Sequence, residues 1–293
     1  MKSLNYIFFV LMLSFLVQTH AQQDPHFSMY RYNMNVITPA YAGTNQTLET
    51  LFSVRSQWVR VNGAPETFHF NINSPVGKNV GIGLNVITDR VFVLDETHVY
   101  ADFSYKIKLA ESLDLYAGVK AGGTFLNIDL LKLDVENDPL FSENVSSFNP
   151  NVGVGFYFKS EKYFITLSAP SLLSNDRYEK DGVNPVSADD DLQMFLGGGY
   201  EWYLSDAFKV VPSTLIKAVP GAPTSIDLTL SGTYKERLEL GTNYRLDESI
   251  TLFLTAARFL QGRLDFGYAY EFTTADTRRY NNGSHEVILK LRL

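Results

Sequence analysis

Alternation of apolar and polar residues, repeated in segment after segment, is the feature that most restricts the fold of this chain. In residues 263–272, RLDFGYAYEF, aromatic residues and leucine occupy every even position. This period of two is typical of a β-strand with one apolar and one polar face. In a soluble sandwich the apolar face packs against a second sheet, whereas in an outer-membrane barrel it faces lipid and the polar face lines the lumen. One strand cannot distinguish a soluble sandwich from a membrane barrel, so the distinction depends on the rest of the chain.

The same alternation predicts fourteen strands between residue 48 and the C-terminus, separated by turn residues. The first strand covers about residues 48–59, and the last one ends at Leu293. A single-chain bacterial barrel requires an even number of strands, and pairing of the last strand with the first leaves no bare edge in lipid. We therefore predict an all-β fold: a closed antiparallel transmembrane β-barrel of the outer-membrane type, with about 14 strands.

The predicted connections differ in length between the two ends of the sheet. Every connection from an even to an odd strand is short, whereas the long connections, 129–150, 169–191 and 273–285, all lead from an odd to an even strand. A barrel with short periplasmic turns and longer outer loops predicts this segregation. A Greek-key sandwich distributes its long connections between both ends. The pattern favours the membrane barrel over a secreted sandwich.

Residues 1–21 have the pattern of a secretory signal peptide. Lys2 precedes an apolar run from Ile7 to Val17, and Ala21 suits cleavage by signal peptidase. The run is too short to span a bilayer, and the alternative is a buried N-terminal helix. No other segment approaches the roughly 20 apolar residues of a membrane helix. The chain has no Cys, which excludes a disulfide framework and a lipid-modified N-terminal Cys, and its aromatic content of 14% suits the interface girdles of a barrel.

The net charge of −7 is concentrated in two long connections, because residues 129–150 and 169–191 each carry a net charge of −4. No basic stripe is present, so nucleic acid is not an expected partner. DVEND at 134–138 and DDD at 189–191 offer oxygen ligands for Ca²⁺, although neither has the spacing of a known calcium loop. We expect solvated or partner-binding outer loops, and no bound metal or cofactor.

Sequence motifs of common enzymes are absent. The chain has no HExxH, GxSxG or Walker motif, and its His residues are isolated. GIG at 81–83 and GGG at 197–199 lie within predicted strands, where they indicate bulges or close packing rather than a phosphate-binding loop. The sequence therefore predicts a non-enzymatic protein without catalytic residues.

The segment expected at the mature N-terminus, QDPHFSMYRYNMNVITPAYAG at 23–43, carries a distinctive set of residues. They are Gln23, Asp24, Pro25, Phe27, Tyr30, Asn33, Pro39, Ala40, Tyr41, Ala42 and Gly43. Together with RSQW at 55–58, GAPETF at 63–68 and SHEVILKL at 284–291, this segment resembles the PorP/SprF family of type IX secretion system outer-membrane proteins of Bacteroidetes. Thr38 stands where that family usually has Asn, a mild departure.

The resemblance implies an outer-membrane barrel that helps to secrete, hold or anchor a specific cargo protein, including gliding adhesins with a distinctive C-terminal domain. The partners it implies are outer-membrane lipid, the secreted cargo or its C-terminal domain, and periplasmic or outer-membrane components of the secretion and motility machinery. The sequence does not identify the cargo. The alternatives are a diffusion channel or hydrophobic-substrate transporter, and an outer-membrane enzyme.

Three units follow: the signal peptide (1–21), an N-terminal lead-in or plug segment (22–47) and the barrel (48–293). The second unit lacks clean alternation and is rich in Tyr, Asn and Pro. It either plugs the lumen, caps the lower mouth or waits in the periplasm for a partner. We favour the lumen, because a polar interior of this size needs filling. The candidate residues of the segment are Asp24, Pro25, Phe27, Tyr30, Arg31, Tyr32, Asn33, Pro39, Tyr41 and Gly43.

Charged residues on the polar faces of the strands form the second candidate set. They are Arg55, Arg237, Glu239, Arg245, Arg258, Arg263, Asp265 and Glu271. Enclosed charges must be paired, because removal of one partner leaves an uncompensated ion. We expect a structural charge network in the lumen, with a substrate path as the alternative.

Overall fold

The computed structural model describes residues 27–133, 143–173, 192–275, 279 and 281–293. Its strands form one antiparallel sheet that closes on itself. The strands are β1 Glu49–Ser56, β2 Glu66–Val76, β3 Val80–Val91, β4 Leu94–Ala110, β5 Leu113–Ile128, β6 Val145–Ser160, β7 Tyr163–Ser171, β8 Gln193–Tyr200 with its continuation Trp202–Ser205, β9 Phe208–Ala218, β10 Ser225–Tyr234, β11 Leu238–Arg245, β12 Ser249–Arg258, β13 Leu264–Thr273 and β14 Ser284–Arg292.

Pairing between the first and the last strand closes the barrel. In the β1–β14 pair, Glu49 lies opposite Arg292 and Ser56 lies opposite His285. The two parts of β8 both pair with β9 and form one strand interrupted at Glu201. The predicted fold, a closed antiparallel barrel of 14 strands, is confirmed.

Exposure alternates along the strands and shows which face lies inside. In β13, Phe266 and Tyr268 are 45% and 38% exposed, whereas Asp265 and Ala269 are each 1% exposed. In the other strands, the buried residues are mostly Ser, Thr, Asn and charged residues, with a few Tyr and aliphatic side chains, whereas the exposed large side chains are mainly Leu, Phe, Val, Ile and Tyr. An apolar surface of this extent is far larger than the patches of soluble monomers, which identifies the outer face as the lipid-facing one.

The helical elements among the residues that the structure describes are short. They are α1 Met34–Ile37, the 3₁₀ helices Pro39–Tyr41 and Leu130–Leu133, and a helical turn, Phe259–Gly262. The first ends at Ile37 because Thr38 precedes a proline and adopts an extended backbone. In the described part of the chain, no helix is long and apolar enough to cross a membrane.

The two ends of the barrel differ, and we name them by their connections. The short-turn end carries tight turns such as residues 77–79, 111–112 and 161–162, and the long-loop end carries connections such as 57–65. Residues 134–142 and 174–191, with the acidic motifs DVEND and DDD, lie outside the described residues. The β5–β6 connection is shorter than predicted because β6 already begins at Val145 and its Phe148 ring packs 4.8 Å from that of Phe125 on β5.

Candidate functional site

Residues 27–47, which we call the inner segment, precede β1 in the chain and lie inside the barrel. Most of their side chains are buried. Those less than a tenth exposed are Phe27, Ser28, Met29, Tyr30, Asn33, Met34, Asn35, Ile37, Thr38, Pro39, Ala40, Ala42 and Thr44. The segment lacks alternation because it contacts inward faces of the wall on several sides and is not itself a strand of the sheet.

Near the long-loop end, the inner segment is bound by a buried charge cluster. The backbone N–H of Ser28 donates to Glu286 Oε2 (2.8 Å), and its hydroxyl donates to Glu271 Oε2 (2.9 Å). Arg55 Nη1 donates to the hydroxyl oxygen of Ser28 (2.7 Å), and Arg55 Nη2 donates to Glu271 Oε1 (2.9 Å). Arg55 is 1% exposed, so its charge depends on these partners for compensation.

Shortly after Ser28, three consecutive polar side chains, at residues 30–32, reach β9, β10 and β11. Tyr30 donates to Ser213 Oγ (3.0 Å), and Tyr32 donates to Glu239 Oε2 (2.6 Å). Arg31 Nη1 donates to Ser231 Oγ (2.8 Å) and lies 3.1 Å from Glu239 Oε1. These contacts bind the segment to a part of the wall that is separated from Arg55 on β1 by β12, β13 and β14.

Burial determines the protonation of these side chains. It raises the pKa of Tyr30 and of Tyr32, and the adjacent Glu239 carboxylate raises that of Tyr32 further. Both phenols therefore remain protonated and act as donors. Burial lowers the pKa of Arg31, but the attraction of Glu239 outweighs this effect, and the net change is upward.

Toward the short-turn end, the backbone of the inner segment lies directly against glycines of the wall. A Cβ atom at Gly118 would lie 2.3 Å from Ala40 N, and one at Gly81 would lie 2.0 Å from Ala42 O. Both distances are too short for any side chain. Ser104 Oγ also donates to the carbonyl of Ala42 (2.6 Å). Gly81 of the GIG motif is therefore a position of close packing, as predicted, and its packing partner is the backbone of Ala42.

The other candidate residues of the segment have the following positions. Asp24 and Pro25 lie outside the described residues, as does the predicted signal peptide. Phe27 packs against His69 with ring centroids 5.5 Å apart, and Tyr41 makes an edge contact with Tyr157 at 5.4 Å. Asn33 and Pro39 are buried. Gly43 has a φ of +66° and donates its N–H to Asn73 Oδ1 (3.2 Å).

The charged residues predicted for the lumen divide into two groups. Arg55, Glu239, Arg245, Asp265 and Glu271 face inward, and each has a partner of opposite charge. In addition to the contacts above, Arg245 Nε lies 3.0 Å from Asp227 Oδ1, and Arg292 pairs with Asp265. The inward group does not form one cluster, because these pairs occur at different heights and on different sides of the wall.

The prediction that Arg237 and Arg263 line the lumen is wrong. Arg237 lies in the turn between β10 and β11, Arg263 lies in the turn between β12 and β13, and both are exposed. The alternation had been extended past the strand ends, since β11 begins at Leu238 and β13 at Leu264. Arg258 is also exposed and pairs with Glu236.

Sequence reasoning missed several inward charges. Lys290 Nζ lies 2.9 Å from Glu49 Oε2, and Glu286 completes the cluster at Arg55. The signal was present, because Glu286, Lys290 and Arg292 alternate with apolar residues in the last strand. In the described residues, no group of three or more His, Asp or Glu side chains is arranged to hold a metal ion.

Solved structures with a similar fold include a toluene transporter, a hydrocarbon channel and another outer-membrane protein. The Ralstonia pickettii toluene transporter TbuX is 11% identical with a TM-score of 0.54, over 87% of this chain and 92% of that one. The CymD monoaromatic hydrocarbon channel is 13% identical with a TM-score of 0.51, over 91% and 92%. The Acinetobacter baumannii protein Omp33 is 9% identical with a TM-score of 0.51, over 86% and 100%. At these identities the likeness shows the fold alone.

The sequence comparisons are more specific. Residues 19–291 match the family model described as type IX secretion system membrane protein PorP/SprF. No curated protein matches the chain. The match covers the inner segment and nearly the whole barrel.

Proposed function

The chain belongs to the PorP/SprF family of type IX secretion system membrane proteins, and we propose that it helps to export, hold or anchor a specific secreted protein at the outer membrane. The cargo is a cell-surface protein, such as a gliding adhesin, that is engaged directly or through its C-terminal domain. Residues 1–21 act as the cleaved signal that directs the chain to the periplasm. The protein works with other secretion and motility components and without catalysis, as the family and fold favour.

The observation that carries this proposal is the filling of the lumen. The inner segment is hydrogen-bonded to β13 and β14 and also to β9, β10 and β11. Near the short-turn end its backbone is in contact with Gly81 and Gly118. A diffusion pore needs a continuous aqueous path, whereas a holder needs a rigid support for surface connections. The buried contacts favour the holder.

The test is a comparison of cell-surface proteins with and without this chain. Deletion of its gene is expected to remove a small set of secreted proteins from the surface and to leave them in the periplasm, and the full-length chain should restore them. Proteins exported by other routes provide the control. An unchanged surface protein profile in the deletion strain would contradict the proposal.

The second candidate, a channel or hydrophobic-substrate transporter, has the support of a cavity above the inner segment and of the fold shared with CymD and TbuX. Planar-bilayer recording distinguishes the two. A holder should pass little current, while an open channel should show a steady conductance of the magnitude expected for a barrel with this number of strands.

A further inference from the structure

A cavity of about 110 Å³ lies inside the barrel, between the inner segment and the long-loop end; we call it the chamber. Its walls come from inward-facing residues of β3 to β11 and its floor from residues 27–37. One water molecule needs roughly 10–15 Å³ measured in this way, so the chamber is large enough for a small organic group.

The arginine of the chamber is already paired. Arg245 Nε lies 3.0 Å from Asp227 Oδ1, and Arg245 Nη1 lies 3.2 Å from Glu248 Oε1. Asp227, the acidic residue of the described lining, is engaged by the same contact. A ligand therefore gains no new ion pair from these side chains, because each charge already has a neighbour of opposite sign.

The two lysines of the lining are also engaged. Lys120 Nζ lies 4.2 Å from the centroid of the Tyr100 ring, and Lys120 lies opposite the buried Asp102 in the β4–β5 pair. Lys217 Nζ lies 5.9 Å from the centroid of the Phe195 ring, within the range of a cation–π contact. A charged ligand would thus lose its hydration in the chamber without gaining a free countercharge from the described lining.

Apolar side chains form much of the chamber. Phe27, Val36 and Ile37 contribute from the inner segment, and Ile87 and Leu215 contribute from the wall. Apolar cavities hold water poorly, because water there finds few hydrogen-bond partners. This part of the chamber suits an aromatic or aliphatic group.

Asn33 adds a directional feature. Its side chain lines the chamber and is 2% exposed, and neither its amide nitrogen nor its amide oxygen has a hydrogen-bond partner among the residues that the structure describes. A buried amide without partners is unfavourable, and native structures normally satisfy such groups. An Asn amide offers donors and an acceptor side by side, which match the acceptor and the donor of a second amide.

We infer that the chamber binds an uncharged group in which an amide is joined to an aromatic ring or a compact aliphatic body. The amide pairs with the side chain of Asn33, and the apolar body lies against Phe27, Ile37 and Leu215. Two sources share this chemistry: a peptide bond beside an apolar side chain of the exported protein, and a free aromatic amide. The first source rests on the proposed function. The chemistry of the site does not.

The test is calorimetric titration of the full mature chain in detergent with phenylacetamide, which carries both features and no charge. We expect saturable binding with a stoichiometry of one, and none in detergent alone. Phenylacetate has the same shape but a negative charge, and acetamide lacks the ring. Each should bind at least about tenfold more weakly, which corresponds to about 1.4 kcal/mol. Absence of phenylacetamide binding, or equal binding of phenylacetate, would overturn the inference.

Two pairs of variants locate the site. Asn33→Leu should reduce binding of phenylacetamide about tenfold. Asn35→Leu should preserve it, because Asn35 is not part of the lining and its amide oxygen accepts from Asn73 (3.4 Å). Leu215→Trp should abolish binding by filling the chamber. Ile216→Trp is its control, because the next residue of a strand faces the other side of the sheet.

If Asn33→Leu does not fold, the tryptophan pair and the ligand series still decide the question. Equal binding by Leu215→Trp and Ile216→Trp would place the ligand elsewhere and refute the inference. Titration with N-acetylphenylalaninamide distinguishes the two sources. Tighter binding of this compound than of phenylacetamide supports the exported protein, and weaker binding supports a free amide.

The chamber and the proposed function fail separately. Binding of phenylacetamide by a protein whose deletion leaves surface proteins unchanged would refute the proposed function alone. Failure of phenylacetamide to bind, with surface proteins lost in the deletion strain, would refute the chamber alone.

Discussion

The backbone N–H of Ser28 donates a hydrogen bond to Glu286, 258 positions later in the chain, over 2.8 Å. The first described residues of the protein are thus joined to its last strand. Because β14 also pairs with β1, closure of the barrel and placement of the inner segment depend on the same strand.

Replacement of Arg55 by Met should destabilise the barrel strongly. The side chain is 1% exposed and lies 2.9 Å from Glu271 and 3.5 Å from Glu286, so the variant leaves two buried carboxylates without their cation. We expect a loss of about 3–5 kcal/mol, measured by urea unfolding in lipid vesicles. Arg90→Met is the matched control, because its pair with Asp95 is exposed and should contribute about 1 kcal/mol or less. Equal effects of the two substitutions would contradict the prediction.

Replacement of Gly118 by Ala should displace the inner segment. The added Cβ atom would lie 2.3 Å from the backbone nitrogen of Ala40, and the clash involves backbone on both sides. We expect a loss of roughly 1–3 kcal/mol and faster proteolysis of the segment. Gly83→Ala is the control, since its Cβ atom would meet its nearest neighbour at an ordinary 3.4 Å. Indistinguishable proteolysis of the two variants would show that the contact is not required.

The Tyr32 hydroxyl should make stability depend on alkaline pH. Burial and Glu239 raise the pKa of Tyr32 above its ordinary value of 10.0, so the unfolded chain loses this proton more readily than the folded one. The contribution is therefore complete below about pH 10 and is lost as the pH rises above it. Unfolding midpoints from about pH 9 to pH 11 should fall more steeply for the wild type than for Tyr32→Phe. Parallel profiles would argue against this role.

Deletion of residues 23–40 should increase conductance. The inner segment accounts for much of the buried interior, and its removal leaves a wide polar lumen in a barrel of this strand number. Single-channel recording of the folded variant should show currents several times those of the full chain. Heat-modifiable migration on a gel confirms that the variant has folded. Unchanged conductance in a folded variant would show that the segment does not obstruct the path.

The barrel was predictable because its signal is local. Each strand shows its two faces through side chains two positions apart, so Phe266 and Tyr268 could be assigned to one face and Asp265 to the other before any pairing was known. Strand ends were less predictable. Trp58 continues the alternation of β1, yet its φ is +45° and the strand stops at Ser56. Arg237 and Arg263 likewise continue the alternation of β11 and β13 but lie beyond the ends of those strands.

The position of the inner segment could not be derived from periodicity. The segment shows no periodicity, and its partners are distant in sequence. Arg31 donates a hydrogen bond to Ser231, 200 positions away, and Tyr32 donates one to Glu239, 207 positions away. Its aromatic and amide content suggested an enclosed polar environment, but not which strands it contacts. The chamber required still more, because its shape depends on how Asn33 and several strands are placed together.

The strands of this barrel are of unequal length, and the surrounding bilayer has to accommodate that difference. β1 and β14 have eight and nine residues, whereas β4, β5 and β6 have 16 or 17. At about 3.3 Å per residue, tilted strands of eight residues span less than the roughly 25 Å apolar band of an outer membrane, and those of 16 exceed it. Lipid beside β1 and β14 is therefore compressed, at a cost of fractions of a kcal/mol per ångström. The flank formed by β1 and β14 is therefore where the barrel matches the thickness of the bilayer least well.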